Sequence, residues 1–89
     1  MNVIDSKIAE LASRFAGRAD KEREALAQAF VAGDRIALRD RAHKLAGVSA
    51  MFGFDEIGNA AFALEEAADS GASLEEPYAR LDRALREIS

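Results

Sequence analysis

Apolar residues recur at helical spacing in five separate stretches of this chain. Over residues 3–15 the large ones are separated by four, three and four positions, which is the stripe of an amphipathic helix. They are Ile4, Ile8, Leu11 and Phe15. No stretch alternates apolar and polar residues as a half-buried strand would. The pattern therefore predicts an all-α protein.

Glycine and aspartate mark the ends of the next two helices. After a break at Gly17, a second helix is expected to begin with Asp20 as its N-cap and to end at Gly33. Asp34 is the expected N-cap of a third helix, over residues 35 to about 51, which Gly53 ends. The buried residues predicted for these two helices are Leu26, Ala29 and Phe30, followed by Leu38, Ala42, Leu45, Ser49 and Phe52.

The last two helices complete a bundle. Asp55 should cap the fourth, which ends in the turn around Gly71, and Ser73 with Glu76 has the spacing of a capping box for the fifth. Their predicted buried residues are Ile57, Ala61, Leu64 and Ala68, then Leu74, Tyr78, Leu81, Leu85 and Ile88. Short loops favour antiparallel neighbours. We therefore expect residues 1–89 to form one domain, an up-down antiparallel four-helix bundle with an additional N-terminal covering helix.

Composition and charge argue against several classes of function. With 12 basic against 16 acidic residues the net charge is −4, whereas binding to nucleic acid needs a basic surface. The chain has no cysteine, and its single histidine has no convincingly spaced carboxylates to complete a metal site. No apolar run approaches the roughly 20 residues that cross a membrane, and no signal peptide is visible. We expect a cytoplasmic protein without a bound metal or cofactor, and Met1 favours a whole protein over a fragment of a larger kinase.

The candidate reactive residue is His43, the only histidine. In the third helix it lies one step away from the buried stripe and shares its face with small residues, among them Ala46, Gly47 and Ala50. A glycine inside a helix costs about 1 kcal/mol relative to alanine, so Gly47 indicates either close packing or access. Spacing alone leaves open that His43 is an ordinary boundary histidine and that Gly47 is a packing contact.

The segment around His43 resembles the active helix of histidine phosphotransfer (HPt) domains. That family's pattern is roughly A-H-x-L-K-G-x-x-x-x-x-G, and five residues match it in register: Ala42, His43, Leu45, Gly47 and Gly53. The A-x-x-x-G-D of residues 29–34, Phe15 in the first helix and a following helix with F-A-L-E are also similar to the family. The resemblance covers most of the chain and implies a phosphocarrier rather than a kinase.

The resemblance implies a reaction at His43. Its neutral imidazole would attack, through Nε2, the phosphorus of a phosphoaspartate on a response-regulator receiver domain, which would also hold the Mg²⁺. A hybrid histidine kinase is a further implied partner. In HPt domains a Gln or Glu on the next helix orients the ring, which implies that Glu65 accepts a hydrogen bond from Nδ1–H of His43.

One position departs from the family pattern. Ala46 stands where HPt domains usually carry a Lys or Arg that neutralises the phosphoryl group. Lys44 and Arg39 are the candidates to stabilise the phosphate instead, and for both the alternative is a solvated helix surface.

A docking surface for the receiver is predicted around the same ring. Phe62 lies three residues before Glu65, so we expect it on the same face, exposed beside His43, although a core position is the alternative. Ala46, Gly47 and Ala50 would complete the contact. Residues 34–44 hold four basic residues against two acidic ones, a local charge of +2 that would favour encounter with an acidic receiver pocket. We expect the protein to be a monomer.

Two other functions fit the sequence. An HPt-like module could bind receivers without phosphotransfer, because Ala46 replaces the usual cation. An unrelated helical adaptor, in which His43 is incidental, is the second alternative. A hydrolase is disfavoured because a lone histidine lacks a nucleophile and an oxyanion hole, and Ser49 is predicted to face inward.

Overall fold

Five α-helices make up nearly all of the structure. It is a computed structural model that describes residues 3–89, so the interpretation of Met1 lies outside the described residues. In chain order the helices are α1 (Val3–Gly17), α2 (Ala19–Ala32), α3 (Arg35–Phe52), α4 (Asp55–Ser70) and α5 (Glu75–Ile88). Residues 3–89 contain no strand. The prediction of an all-helical protein is confirmed.

Three helices end where the sequence predicted. Gly33, Gly53 and Gly71 follow α2, α3 and α4 with φ values of 69°, 77° and 77°. This left-handed conformation favours glycine because a Cβ would clash there. Asp34 caps α3 as expected, since its carboxylate accepts a hydrogen bond from the backbone N–H of Ala37 at 3.0 Å. The boundaries around α3, which carries His43, are therefore set by local sequence.

The three other predicted N-caps, Asp20, Asp55 and Ser73, are wrong. α2 begins at Ala19 and α4 at Asp55 itself, so both aspartates lie inside a first turn. α5 begins at Glu75, two residues after Ser73, and no side chain caps these three helices. An acidic residue stabilises the positive end of a helix anywhere in its first turn. The residue type therefore predicts the region of the start but not the capping position.

The core lies between α2, α3, α4 and α5. α3 packs against α4, α4 against α5, and α2 against both α3 and α5. The largest fully buried side chains are leucines, namely Leu26, Leu38, Leu64, Leu81 and Leu85. All five belong to the predicted stripes. Phe30, Phe52, Leu74, Tyr78 and Ile88, also predicted, are partly buried against this core.

The stripe of α1 is buried only at its C-terminal end. The ring of Phe15 is buried, with its centroid 6.1 Å from that of Phe52 and 5.5 Å from that of Phe54. Ile4 and Ile8 are 69% and 40% exposed, so the prediction of one continuous packed stripe is wrong for the first half of the helix. Periodicity identifies the apolar face of a helix, but the position of the neighbouring helices decides how much of that face is covered. No described helix is long and apolar enough to cross a membrane.

Candidate functional site

His43 projects from α3 into solvent. Its side chain is 74% exposed, whereas Ala42 and Leu45 on the adjacent face are buried. This contrast follows from the 100° between successive helical residues, which turns His43 away from the stripe that faces the core. Gly47 and Ala50, farther along α3, are exposed as well. The imidazole is therefore accessible to a large partner.

Glu65 on α4 contacts the ring directly. Its Oε2 atom lies 2.8 Å from Nδ1 of His43, and the Glu65 side chain is only 21% exposed. An ionised carboxylate can only accept a hydrogen bond, so this contact assigns the ring proton to Nδ1. In the neutral ring Nε2 then keeps its lone pair, on the side of the ring away from Glu65. The structure thus brings together the two residues that the sequence paired.

Gly47 does not serve helix packing. A Cβ built on it would have nothing within 4 Å, so of the two interpretations of this glycine, access fits the structure. The close approach of α3 and α4 occurs instead at Gly58, where a Cβ would lie 3.7 Å from Cβ of Ser49 and 3.8 Å from the carbonyl oxygen of Ala46. Sequence reasoning missed Gly58. The available signal was a glycine one residue after the predicted core residue Ile57.

Phe62 is exposed, as expected. It lies on α4 one turn before Glu65, and 54% of its surface is accessible. Met51, near the end of α3, is 68% exposed. Ala46 is partly buried. Exposed apolar and small side chains therefore occur on both helices that carry the site, and their contact with a partner stays a prediction.

Arg39 is held by two carboxylates. Its Nε and Nη2 atoms donate to Oδ1 of Asp40 at 3.2 and 3.0 Å, and its Nη1 lies 3.6 Å from Oδ1 of Asp69 on α4. The hydrogen bond and negative charge of Asp40 raise the pKa of Arg39, and Asp69 adds to this effect. Sequence reasoning placed Asp40 on the face of His43 but did not connect Asp69 with the site.

Lys44 lies on a different side of α3 from Arg39. It is exposed and lines a groove between α3 and the α1–α2 segment, together with Arg18, Lys21 and Leu45. Its neighbour His43 lies on the next face of the helix. The structure therefore places the two candidate cations on different sides of the imidazole.

The other basic residues of this region do not form a continuous rim around His43. Arg35 donates to the carbonyl oxygens of Ala67 and Ala72, at 2.8 and 2.9 Å, and so satisfies groups at the end of α4. Arg41 pairs with Glu22 on α2 at 3.1 Å. Within residues 3–89 no group of three or more acidic or histidine side chains is placed to hold a metal ion.

Comparison with known proteins identifies the family to which this chain belongs. The family model described as "Hpt domain" matches residues 10–89, which include α2 to α5, about half of α1 and both members of the His43–Glu65 pair. The chain belongs to the Hpt domain family. Hpt domains are phosphocarrier modules of two-component phosphorelays, which interact with receiver domains and kinases and are not kinases themselves. No curated protein and no solved structure gave a significant match.

Proposed function

We propose that this protein relays phosphoryl groups between receiver domains of a two-component phosphorelay, with His43 as the residue that carries the group. One observation supports this most strongly: the ring is 74% exposed while its Nδ1 lies 2.8 Å from Glu65. An imidazole that is both accessible and oriented is suited to nucleophilic attack through its free nitrogen.

The proposed step conserves charge and atoms. The Nε2 lone pair attacks phosphorus as the P–O bond to the receiver aspartate breaks, and the carboxylate leaves with the bonding electrons. The proton stays on Nδ1, so the phosphorylated ring is formally positive. Glu65 stabilises that charge and keeps the ring in place. The Mg²⁺ that assists the step belongs to the receiver, and reversal returns the group to a second receiver.

Several finer features belong to the same proposal. Residues 1–89 act as one monomeric domain in the cytoplasm, in which α2 to α5 form an up-down antiparallel four-helix bundle and α1 is the covering helix. The pairing of α3 with α4, α4 with α5, and α2 with α5 supports this arrangement. The receiver docks over Phe62 and the small residues Ala46, Gly47 and Ala50. A hybrid histidine kinase supplies the phosphoryl group, and Arg39 or Lys44 stabilises it.

The decisive experiment is phosphoryl transfer from a panel of phosphorylated receivers. We expect acid-labile, alkali-stable label on the wild-type protein and none on His43→Gln. Label on the variant would show that another residue accepts the group and would contradict the proposal.

A second function is favoured by Ala46, which leaves the usual cation position without charge. In that case the protein would bind receivers but accept no label, and it would act as a receiver-binding module. Neither binding nor label would indicate a helical adaptor in which His43 is incidental.

A further inference from the structure

Two pairs of side chains cross the α3–α4 interface one helical turn apart. Arg39 lies four residues before His43, and Asp69 lies four residues after Glu65. The Arg39–Asp69 contact at 3.6 Å therefore joins the same two helices one helical turn away from the His43–Glu65 contact at 2.8 Å. A cation is held beside the imidazole, on the helix face that the imidazole occupies.

The two contacts of Arg39 differ in strength. Asp40 accepts two hydrogen bonds of 3.0 and 3.2 Å from Nε and Nη2, whereas the 3.6 Å between Nη1 and Asp69 is too long for a good hydrogen bond. Arg39 and Asp69 are 43% and 55% exposed, so water weakens their attraction further. The Nη1 edge of the guanidinium can therefore change partners while the other edge stays on Asp40.

Phosphorylation of His43 creates a need for such a cation. The phosphoryl group adds a charge of about −1.5 to −2 near carboxylates that already carry negative charge, including Glu65 and Asp69. Ala46 cannot neutralise it, and Lys44 lies on the adjacent face of α3, where it lines the groove toward the α1–α2 segment. A guanidinium fits this role because its planar donors match two phosphoryl oxygens at once.

We propose that Arg39 replaces the missing cation at position 46, and that Asp69 competes for its Nη1 edge until the phosphoryl group arrives. This inference rests on the proposed function, since it needs phosphorylated His43. Asp69 is then a positioning residue that sets how readily the phosphorylated state forms. Arg39 contacts the phosphoryl group through its Nη1 edge, while its Nε and Nη2 stay hydrogen-bonded to Asp40 on the same helix.

The first test follows the phosphorylated protein without any receiver. The purified protein is phosphorylated with potassium phosphoramidate, and the half-life of the phosphohistidine is measured beside its ³¹P NMR titration. We expect Arg39→Gln to shorten the half-life about fivefold, the range of an exposed ion pair. Loss of the neighbouring cation should also raise the titration midpoint of the phosphoryl group, which a purely structural role of Arg39 would leave unchanged.

Two further variants control this measurement. Arg80→Gln removes a matched, 39% exposed arginine that pairs with Glu56 across α4 and α5, away from the site, and should change neither quantity. Ala46→Lys in the Arg39→Gln background should restore both, because it returns a cation to the family position. Unchanged half-life and midpoint in Arg39→Gln would overturn the inference.

The second test separates competition by Asp69 from simple repulsion. Asp69→Asn should lengthen the half-life in the wild-type background and have no effect beside Arg39→Gln. Direct repulsion between Asp69 and the phosphoryl group predicts the opposite, a larger effect once Arg39 is gone, and this result would overturn the role given to Asp69. The double-mutant cycle compares the effect of Asp69→Asn on the half-life with and without Arg39.

The outcomes also separate this inference from the proposed function. Labelling by phosphoramidate with no transfer from any receiver would contradict the relay but still decide the role of Arg39. Transfer from receivers with an unaffected Arg39→Gln variant would contradict the inference alone. If neither donor labels His43, both are wrong.

Discussion

In the proposed relay, the contact between His43 and Glu65 selects the ring nitrogen that reacts. With Oε2 of Glu65 2.8 Å from Nδ1, a neutral ring carries its proton on Nδ1 and its lone pair on Nε2. Glu65 also lies in a mostly buried position on α4, which limits the orientations it can offer. At this scale the proposal assigns to a single carboxylate both the tautomer and the orientation of the ring.

Removal of that carboxylate should slow phosphotransfer without weakening docking. We expect Glu65→Ala to reduce the transfer rate about tenfold and to change receiver affinity little. Tenfold is the lower end of the effect seen when a histidine loses the residue that orients it. Glu65→Gln should be intermediate, since its amide oxygen still accepts from Nδ1–H but carries no charge. Rapid-quench kinetics and a binding titration measure the two quantities. The exposed neighbour serves as control in Glu66→Ala, and equal rates for all variants would remove Glu65 from the mechanism.

The buried hydroxyl of Ser49 is expected to lower the stability of the fold. Its side chain is fully buried at the α3–α4 contact, and its Oγ lacks a hydrogen-bond partner within the described chain. Because an unsatisfied buried hydroxyl is unfavourable, Ser49→Ala should raise the free energy of unfolding by about 1 kcal/mol. Urea denaturation measures this, and Ser13→Ala on the exposed surface of α1 corrects for helix propensity. A loss of stability in Ser49→Ala would contradict the interpretation.

At the scale of helices, two glycines have different surroundings. Gly58 faces α3, where a Cβ would be in van der Waals contact with Ser49 and Ala46, whereas Gly47 faces open space. A mid-helix glycine without a packing role weakens the helix, and we propose that Gly47 provides clearance for the receiver above the surface next to His43. Stability and docking are therefore expected to respond oppositely at position 47.

Gly47→Ala tests that opposition. The substitution should raise the free energy of unfolding by about 1 kcal/mol through helix propensity. It should also weaken receiver binding about fivefold, the size of effect expected when a significant interface position is altered. Denaturation and a binding titration are measured on the same samples. Gly17→Ala, at the end of α1 where a Cβ also meets nothing within 4 Å, should leave binding unchanged. Unaltered binding of Gly47→Ala would show that clearance is not its role.

At the scale of the whole molecule, Phe15 is the buried side chain of α1 among its described residues, and Leu11 is partly buried. Phe15 packs on Phe52 and Phe54 at the end of α3, while Ile4 and Ile8 remain exposed. The molecule measures 45 × 21 × 18 Å along its principal axes. Its longest axis exceeds the length of the 18-residue α3, which is roughly 27 Å.

This attachment predicts an uneven response to truncation of α1 side chains. Phe15→Ala should lower the free energy of unfolding by about 3 kcal/mol because it leaves a cavity in the aromatic contact. Ile8→Ala should change it by less than about 0.5 kcal/mol, as for other exposed positions. Urea unfolding followed by circular dichroism gives both values. Similar losses for the two variants would mean that α1 is packed along its whole length.

Local features of the sequence determined the helices and their C-terminal ends. Apolar spacing predicted the leucines of the core, because a helix has one periodicity whatever it packs against. Glycine predicted the ends of α2, α3 and α4, because the left-handed conformation excludes most other residues. The motif around His43 placed it on the exposed face of α3 and, through the family pattern, named Glu65 as its partner.

The tertiary structure decided the features that depend on neighbouring helices. It left Ile4 and Ile8 uncovered, placed the close helix contact at Gly58, and paired Arg39 with Asp69. Each of these depends on the distance and register between elements that are far apart in the chain, which a local pattern does not encode. The sequence could therefore identify His43 and name Arg39 and Lys44 as candidate cations, whereas the preference for Arg39 that we propose needed the packing of α3 against α4.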